Sequence, residues 1–276
     1  MASLMSMLKG CVPDRVKTAV RSWSYERRYR GKYDSWATAR AAASGYEADA
    51  ILHKAVEATR AVRDGHAVWE RDTVLFYQPA CHKPLLEALR IVSAEEGELD
   101  VLDFGGALGS TWWQHRGWLT QPAPARWSIV EQEGFVEAGR REFEVGPLRF
   151  YSTVDACLSQ GVPNVVLLSS VLPYMKEPHR LLADLEACDC RWMIIDRTGF
   201  VKGGDDWLTV QHVPPSIYQA SYPCWFFNRE RLLAPLAGKW KVVSEWQTFD
   251  AAGKDFDFRG LMLKRIVPFS GSGGGQ

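Results

Sequence analysis

The run Val101-Leu-Asp-Phe-Gly-Gly-Ala-Leu-Gly109-Ser-Thr-Trp-Trp113 constrains the fold of this chain more than any other stretch. An apolar segment that closes on an acid and passes through a glycine-rich turn into a helix-compatible segment describes a strand breaking sharply into a helix. Gly105, Gly106 and Gly109 permit a tight turn and close approach of a ligand to the backbone. The following helix directs its unbonded N–H groups at the same point. In an open α/β sheet such a turn lies at the carboxyl end of a strand and binds nucleotides.

The rhythm after Gly97 supplies the rest of the sheet. Short apolar segments at Asp100–Asp103, Trp127–Glu131, Leu148–Tyr151, Asn164–Ser169 and Trp192–Asp196 alternate with helix-compatible stretches, the pattern of βα units around a parallel sheet. Leu208–Val213, Trp240–Phe249 and Phe256–Arg265 also read as strands, the last two forming a terminal hairpin around Asp250–Lys254. Five strands and this antiparallel pair predict an α/β fold with a seven-stranded, mostly parallel sheet. From Ser35 to Glu96 the pattern is mostly helical: Ile51, Leu52, Val56, Thr59 and Val62 recur at helical spacing, and Leu85, Leu86, Leu89 and Ile91 mark a second helix. The expected organisation is a basic arm (1–34), a helical cap (35–97), a nucleotide-binding domain (98–268) and a flexible tail (269–276).

Composition narrows the class. At 276 residues, 46% hydrophobic and 24% charged, the chain reads as a soluble globular domain with an extension. It has no apolar run of about 18 residues to span a bilayer, and its start lacks a signal-peptide core, so a cytosolic location is expected. Six cysteines without Cys-x-x-Cys spacing predict neither a disulfide framework nor a metal site, and Cys188-Asp-Cys190 reads as packing. The net charge is zero, yet residues 1–32 hold eight Lys/Arg against two acids. This arm reads first as a solvated segment and second as a peripheral contact for an anionic membrane surface; nucleic acid is not an expected partner.

The glycine turn spells Asp103-x-Gly105-x-Ala107-x-Gly109, one alanine away from the acid-x-Gly-x-Gly-x-Gly signature of S-adenosylmethionine methyltransferases. It departs from the Gly-x-Gly-x-x-Gly dinucleotide fingerprint. Glu131 ends the second strand 26 positions after Gly105, where an acid accepts hydrogen bonds from both ribose hydroxyls of an adenosine, though NAD fits that placement too. The candidate donor site comprises Asp103, Gly105, Gly106, Ala107, Gly109, Glu131 and Gln132, with Ser169 and Ser170 at the fourth strand's end.

Tyr174 reads either as an aromatic face near a sulfonium or as packing at the sheet edge. Asp196 closes the fifth strand and is the leading general-base candidate for an acceptor hydroxyl, the alternative being a structural pair with Arg197. The insert Gln211–Asn228 is dense in rings and hydrogen-bonding groups and reads as a lid over a sugar or another polar ring compound. Its Tyr218, Tyr222 and Trp225, together with Arg197, are candidate substrate contacts; His212 is a second base candidate, or an ordinary surface or packing histidine.

Together these stretches resemble a bacterial family of class I methyltransferases associated with cell-surface polysaccharide gene clusters. The residues that carry the likeness are Glu70–Phe76, Leu102–Thr111, Val130–Gln132, Leu167–Tyr174, Ile195–Thr198 and Pro214–Asn228, spread over most of the chain. The resemblance implies a Rossmann-like S-adenosylmethionine fold, with donor binding on Gly105, Gly109 and Glu131; Ala107 departs from the broader signature. It implies methylation, and a sugar or glycan precursor hydroxyl is the acceptor expected. Two other readings stay open: a catalytically silent binding protein of polysaccharide assembly, and an NAD-dependent dehydrogenase.

Overall fold

A computed structural model describes residues 28–45, 48–119, 124–214, 217, 219–250 and 252–266. Most of the basic arm, the carboxyl tail and Tyr218 lie outside the described residues. The described chain opens with β1 (Tyr29–Arg30), α1 (Trp36–Ala42), α2 (Ala48–Arg63), the pair β2 (Trp69–Arg71) and β3 (Val74–Phe76), and α3 (Lys83–Glu96). Ser35 starts α1 through a capping box with Thr38, and Gly97 ends α3 in the left-handed region at φ 78°. The mostly helical reading of 35–96 omits the β2–β3 hairpin, whose tight turn holds Asp72 and Thr73 at φ 51° and 67°.

The α/β part then runs β4 (Asp100–Phe104), α4 (Ser110–His115), β5 (Arg126–Val130), α5 (Glu133–Glu142), β6 (Leu148–Tyr151), α6 (Val154–Leu158) and β7 (Val165–Ser169). After a 3-10 turn at Leu172–Tyr174 it continues through α7 (Pro178–Glu186), β8 (Trp192–Val201), β9 (Trp207–His212), β10 (Ser221–Phe226), α8 (Arg229–Leu233), β11 (Trp240–Gln247) and β12 (Phe256–Arg265).

Seven of these strands form one sheet in the order β11-β12-β8-β7-β4-β5-β6. Only β12 runs against its neighbours. This is the expected seven-stranded, mostly parallel sheet, with its antiparallel carboxyl-terminal hairpin and added amino-terminal helices. Chain order reverses between β4 and β7, and a crevice opens at the carboxyl ends of strands at such a point.

Alternation along the strands sends successive side chains to opposite faces. Val101, Trp127, Val165 and Ile194 pack under α2, α3, α4 and α5, while Leu102, Val166, Met193 and Ile195 pack under α6, α7 and α8. Both faces are covered, so the central strands are continuously apolar. Cys188 and Cys190 belong to the second of these cores.

The insert expected as a lid is itself largely a sheet. β9 and β10 pair antiparallel, and β1 adds to the other side of β9 with Tyr29 opposite Gln211. Pro223 sits within β10 at a position that pairs with Val210.

Candidate active site

A cavity of about 1000 Å3 opens where the carboxyl ends of β4, β5 and β7 meet the Asp196–Arg197 segment of β8. The glycine turn forms its floor. Gly105 has φ +72°, and a Cβ there would stand 2.5 Å from Val171 Cγ2; a Cβ on Gly106 would stand 2.7 Å from Asp103 Cγ. Ala107 occupies the left-handed region at φ 51°.

That backbone strain is not scattered. Among the described residues the non-glycine positions with positive φ are Asp72, Thr73, Ala107, Ser170 and Arg197, and every one lines this cavity. Such conformations cost on the order of 1–3 kcal/mol each and persist where surrounding structure holds them, commonly at functional sites.

Three carboxyl groups on the wall are shifted upward. Burial pushes Asp103 to about 7, against the hydrogen bond it accepts from Trp127 Nε1 at 3.1 Å. Burial raises Glu70 to about 6, although Ser110 Oγ and, at 3.2 Å, the Thr73 amide donate to it. Glu131 is also raised by burial, and the amides of Gln132 and Ala107 favour its charged form; Gln132 N–H donates to Oε2 at 2.7 Å.

A polar cluster around Asp196 lines the same cavity as the glycine turn. Asp196 is fully buried, and its carboxylate accepts from Trp246 Nε1 at 3.0 Å and from Ser169 Oγ at 3.3 Å. His82 Nε2 lies 3.2 Å from Asp196 Oδ1. The Arg197 guanidinium donates through Nε and Nη2 to Asp250 at 3.2 and 3.3 Å, and Asp72 lies 3.7 Å away. Burial opposes the Arg197 charge, but Asp250 and Asp72 outweigh it and shift its pKa upward. Arg71 stacks 4.0 Å from the centre of the Phe249 ring, which also meets His82 edge-on. The β2–β3 hairpin and the Phe249–Asp250 segment are thereby joined over one wall.

No family model matches the sequence, and no curated protein matches it. Solved structures similar to this chain include the N-terminal domain of EvdMO1 in the presence of SAH and D-fucose, 16% identical over 81% of this chain and 98% of that one, TM-score 0.48. Another is the Burkholderia thailandensis 1,6-didemethyltoxoflavin-N1-methyltransferase with its substrate and S-adenosylhomocysteine, 17% identical over 82% and 95% of the two chains, TM-score 0.42. A third is the magnesium protoporphyrin IX methyltransferase of Synechocystis PCC 6803 with SAH, 13% identical over 66% and 82%, TM-score 0.43. At these identities and scores the likeness carries nothing about what this chain binds.

The candidate donor residues converge. Asp103, Gly105, Gly106, Ala107, Glu131 and Gln132 line the cavity, as do Ser169 and Ser170, while Gly109 caps α4 just beneath at φ 89°. Tyr174 lines it too; its hydroxyl donates to Gln211 Oε1 at 2.9 Å, and burial pushes its pKa well up, so it is a neutral phenol. Tyr222 sits edge-on to Tyr174, and both line the cavity along with Asp196 and Arg197.

Other candidates fall elsewhere. His212 is absent from the wall, its backbone amide bonded to Arg28 O, and burial lowers its pKa. Trp225 stacks on Trp36 and Phe227 rather than on the cavity. Glu70 and His82 line the cavity although no motif in the sequence singled them out as site residues. The one signal for His82 is its position before Lys83-Pro84 at a helix start, where it makes no side-chain capping bond.

Proposed function

We propose that this protein is an S-adenosylmethionine-dependent methyltransferase acting on a hydroxyl of a sugar or glycan precursor. The observation that carries the reading is a single cavity of about 1000 Å3 holding both a glycine cradle beside a strand-end acid and a separate wall of aromatic rings and hydrogen-bonding groups. The volume lies at the upper end of ligand pockets and suits two ligands side by side.

The residues present fit the donor. The backbone of Gly105–Gly109 would hold its amino-acid part, with the N–H groups of the α4 start directed there. Glu131, kept at the cavity edge by the Gln132 amide, would accept from the ribose hydroxyls. When bound, the sulfonium supplies an electrophilic methyl group, and transfer then depends mainly on alignment with the acceptor. Tyr174 and Tyr222 present ring faces and edges of the kind that seat a sugar while their hydroxyl ends add polarity. A cytosolic enzyme of surface-polysaccharide synthesis, its basic arm touching the inner membrane surface, is the setting consistent with the charge distribution.

Calorimetry on the full chain with S-adenosylmethionine, and separately with NAD, tests the donor. Binding of the first alone is expected, and a folded protein that binds neither overturns the enzyme reading. Mass spectrometry of bacterial extracts incubated with methyl-labelled donor tests the acceptor: label on a sugar oxygen is expected, and label on nitrogen overturns that part.

A further inference from the structure

His82 is held from three directions. Its backbone N–H donates to His115 Nε2 at 3.0 Å, and its carbonyl accepts from the Leu86 amide at 2.9 Å in the first turn of α3. Its ring reaches Asp196, 114 positions away in the chain, at 3.2 Å.

The tautomers follow from the partners. His115 Nδ1 lies 2.8 Å from the Thr111 carbonyl, which only accepts, so Nδ1 carries the proton and Nε2 takes the His82 amide. Burial pushes the His115 pKa down to about 4, consistent with a fixed neutral ring. Asp196 receives hydrogens from Trp246 Nε1 and Ser169 Oγ on its two oxygens, an environment that suits a carboxylate. His82 then donates to it through Nε2. That leaves Nδ1 as the unprotonated nitrogen of a ring on the cavity wall, with no hydrogen bond to any of the described residues.

Asp196 is poorly placed to take a proton from a substrate itself. It is fully buried and engaged by three side chains from β7, β11 and the start of α3. What it does is fix the ring of His82 and stabilise the imidazolium that forms when the ring gains a proton, the orienting role of a carboxylate in an acid-histidine pair.

We propose that His82 Nδ1 is the base that accepts the proton of the acceptor hydroxyl, and that Asp196 is its positioning residue, a reading that rests on methyl transfer to oxygen. The acceptor O–H bond breaks as its proton passes to Nδ1, and the freed oxygen pair forms the O–CH3 bond. The pair of the breaking S–CH3 bond stays on sulfur, so the donor leaves as a neutral thioether and the positive charge ends on His82, beside Asp196.

The first test needs no acceptor. Nitrogen-15 NMR of the full chain labelled at histidine is expected to show His82 as the Nε2–H tautomer; the Nδ1–H tautomer overturns the proposal. In Asp196→Asn that preference is expected to weaken while affinity for S-adenosylhomocysteine, read by calorimetry, stays within about twofold; an unchanged tautomer overturns the positioning role.

The second test uses label transfer from methyl-labelled S-adenosylmethionine into bacterial extract. His82→Gln is expected to lose on the order of 100-fold or more in rate with S-adenosylhomocysteine binding retained. A rate equal to that of the parent chain overturns the base. Failure of the parent chain to bind S-adenosylhomocysteine overturns the methyltransferase reading separately, and the NMR result still decides the state of the pair.

Discussion

A Cβ on Gly260 would lie 2.0 Å from Trp246 Cε2, so the indole that donates to Asp196 occupies space only a glycine leaves open. Gly260 pairs with Trp246 on β11, and on its other side the register with β8 slips by one residue at Asp196–Arg197. The bulge puts Arg197 at φ 50° and gives the two residues their places at the cavity. In Gly260→Ala the indole must move, and overpacking of this kind costs about 2 kcal/mol. The expected outcome is a melting temperature lower by roughly 5 °C, with Trp246 emission shifted to the red; an unchanged melting curve would mean that β12 absorbs the methyl group.

Ala107 is the residue that departs from the glycine signature, and the turn holds it at φ 51° all the same. An L-residue there is strained by about 1 kcal/mol, partly offset by the smaller entropy of its unfolded chain. Ala107→Gly is therefore expected to raise stability by about 0.5 kcal/mol in urea unfolding and to leave S-adenosylhomocysteine affinity within about twofold. A destabilised variant would show that the methyl group packs usefully against the cavity floor.

Glu70 links the turn of the β2–β3 hairpin to the start of α4 through Thr73 and Ser110, and burial raises its pKa from 4.5 to about 6. A carboxyl group with a raised folded pKa leaves stability intact below its unfolded value and removes it as pH climbs through the folded one. The loss is about 2 kcal/mol, complete somewhat above pH 6. Glu70→Gln has no proton to lose, so the variant is expected to gain on the parent chain as pH rises from 4.5 to 7, measured as the difference in unfolding free energy. A pH-independent difference would mean that Glu70 ionises without penalty.

The sheet was legible because βα periodicity is local: the segments ending at Asp103, Tyr151 and Ser169 match β4, β6 and β7 to within a residue at that end. The glycine turn was legible for the same reason, since Gly105 to Gly109 and Glu131 follow strand ends that the sequence marks. His82 was not. Its meaning depends on Asp196, and no periodicity spans their 114 positions. The β2–β3 hairpin escaped because its turn is Asp72-Thr73 where glycine or asparagine would announce it. The segment Leu208–Val213 was legible as the strand that is β9, whereas β10 was hidden in the insert read as a lid because Pro223 breaks its alternation, and the third strand of that sheet, Tyr29–Arg30, is too short to read.

Glu131 is the sharpest probe of the donor half. Its strand ends at Val130, its own amide is bonded to Tyr151 O, and its carboxylate is tied to the next amide rather than to the apolar core. Because burial already penalises its charge, Glu131→Ala removes a group that adds little to folding, and the melting temperature is expected to change by less than about 2 °C. A hydrogen bond to a charged acceptor contributes about 1.5–3 kcal/mol, so loss of the ribose contacts corresponds to affinity weaker on the order of 10- to 100-fold. Calorimetry with S-adenosylhomocysteine reads this directly. Unchanged affinity in a well-folded variant would take Glu131 out of the donor site.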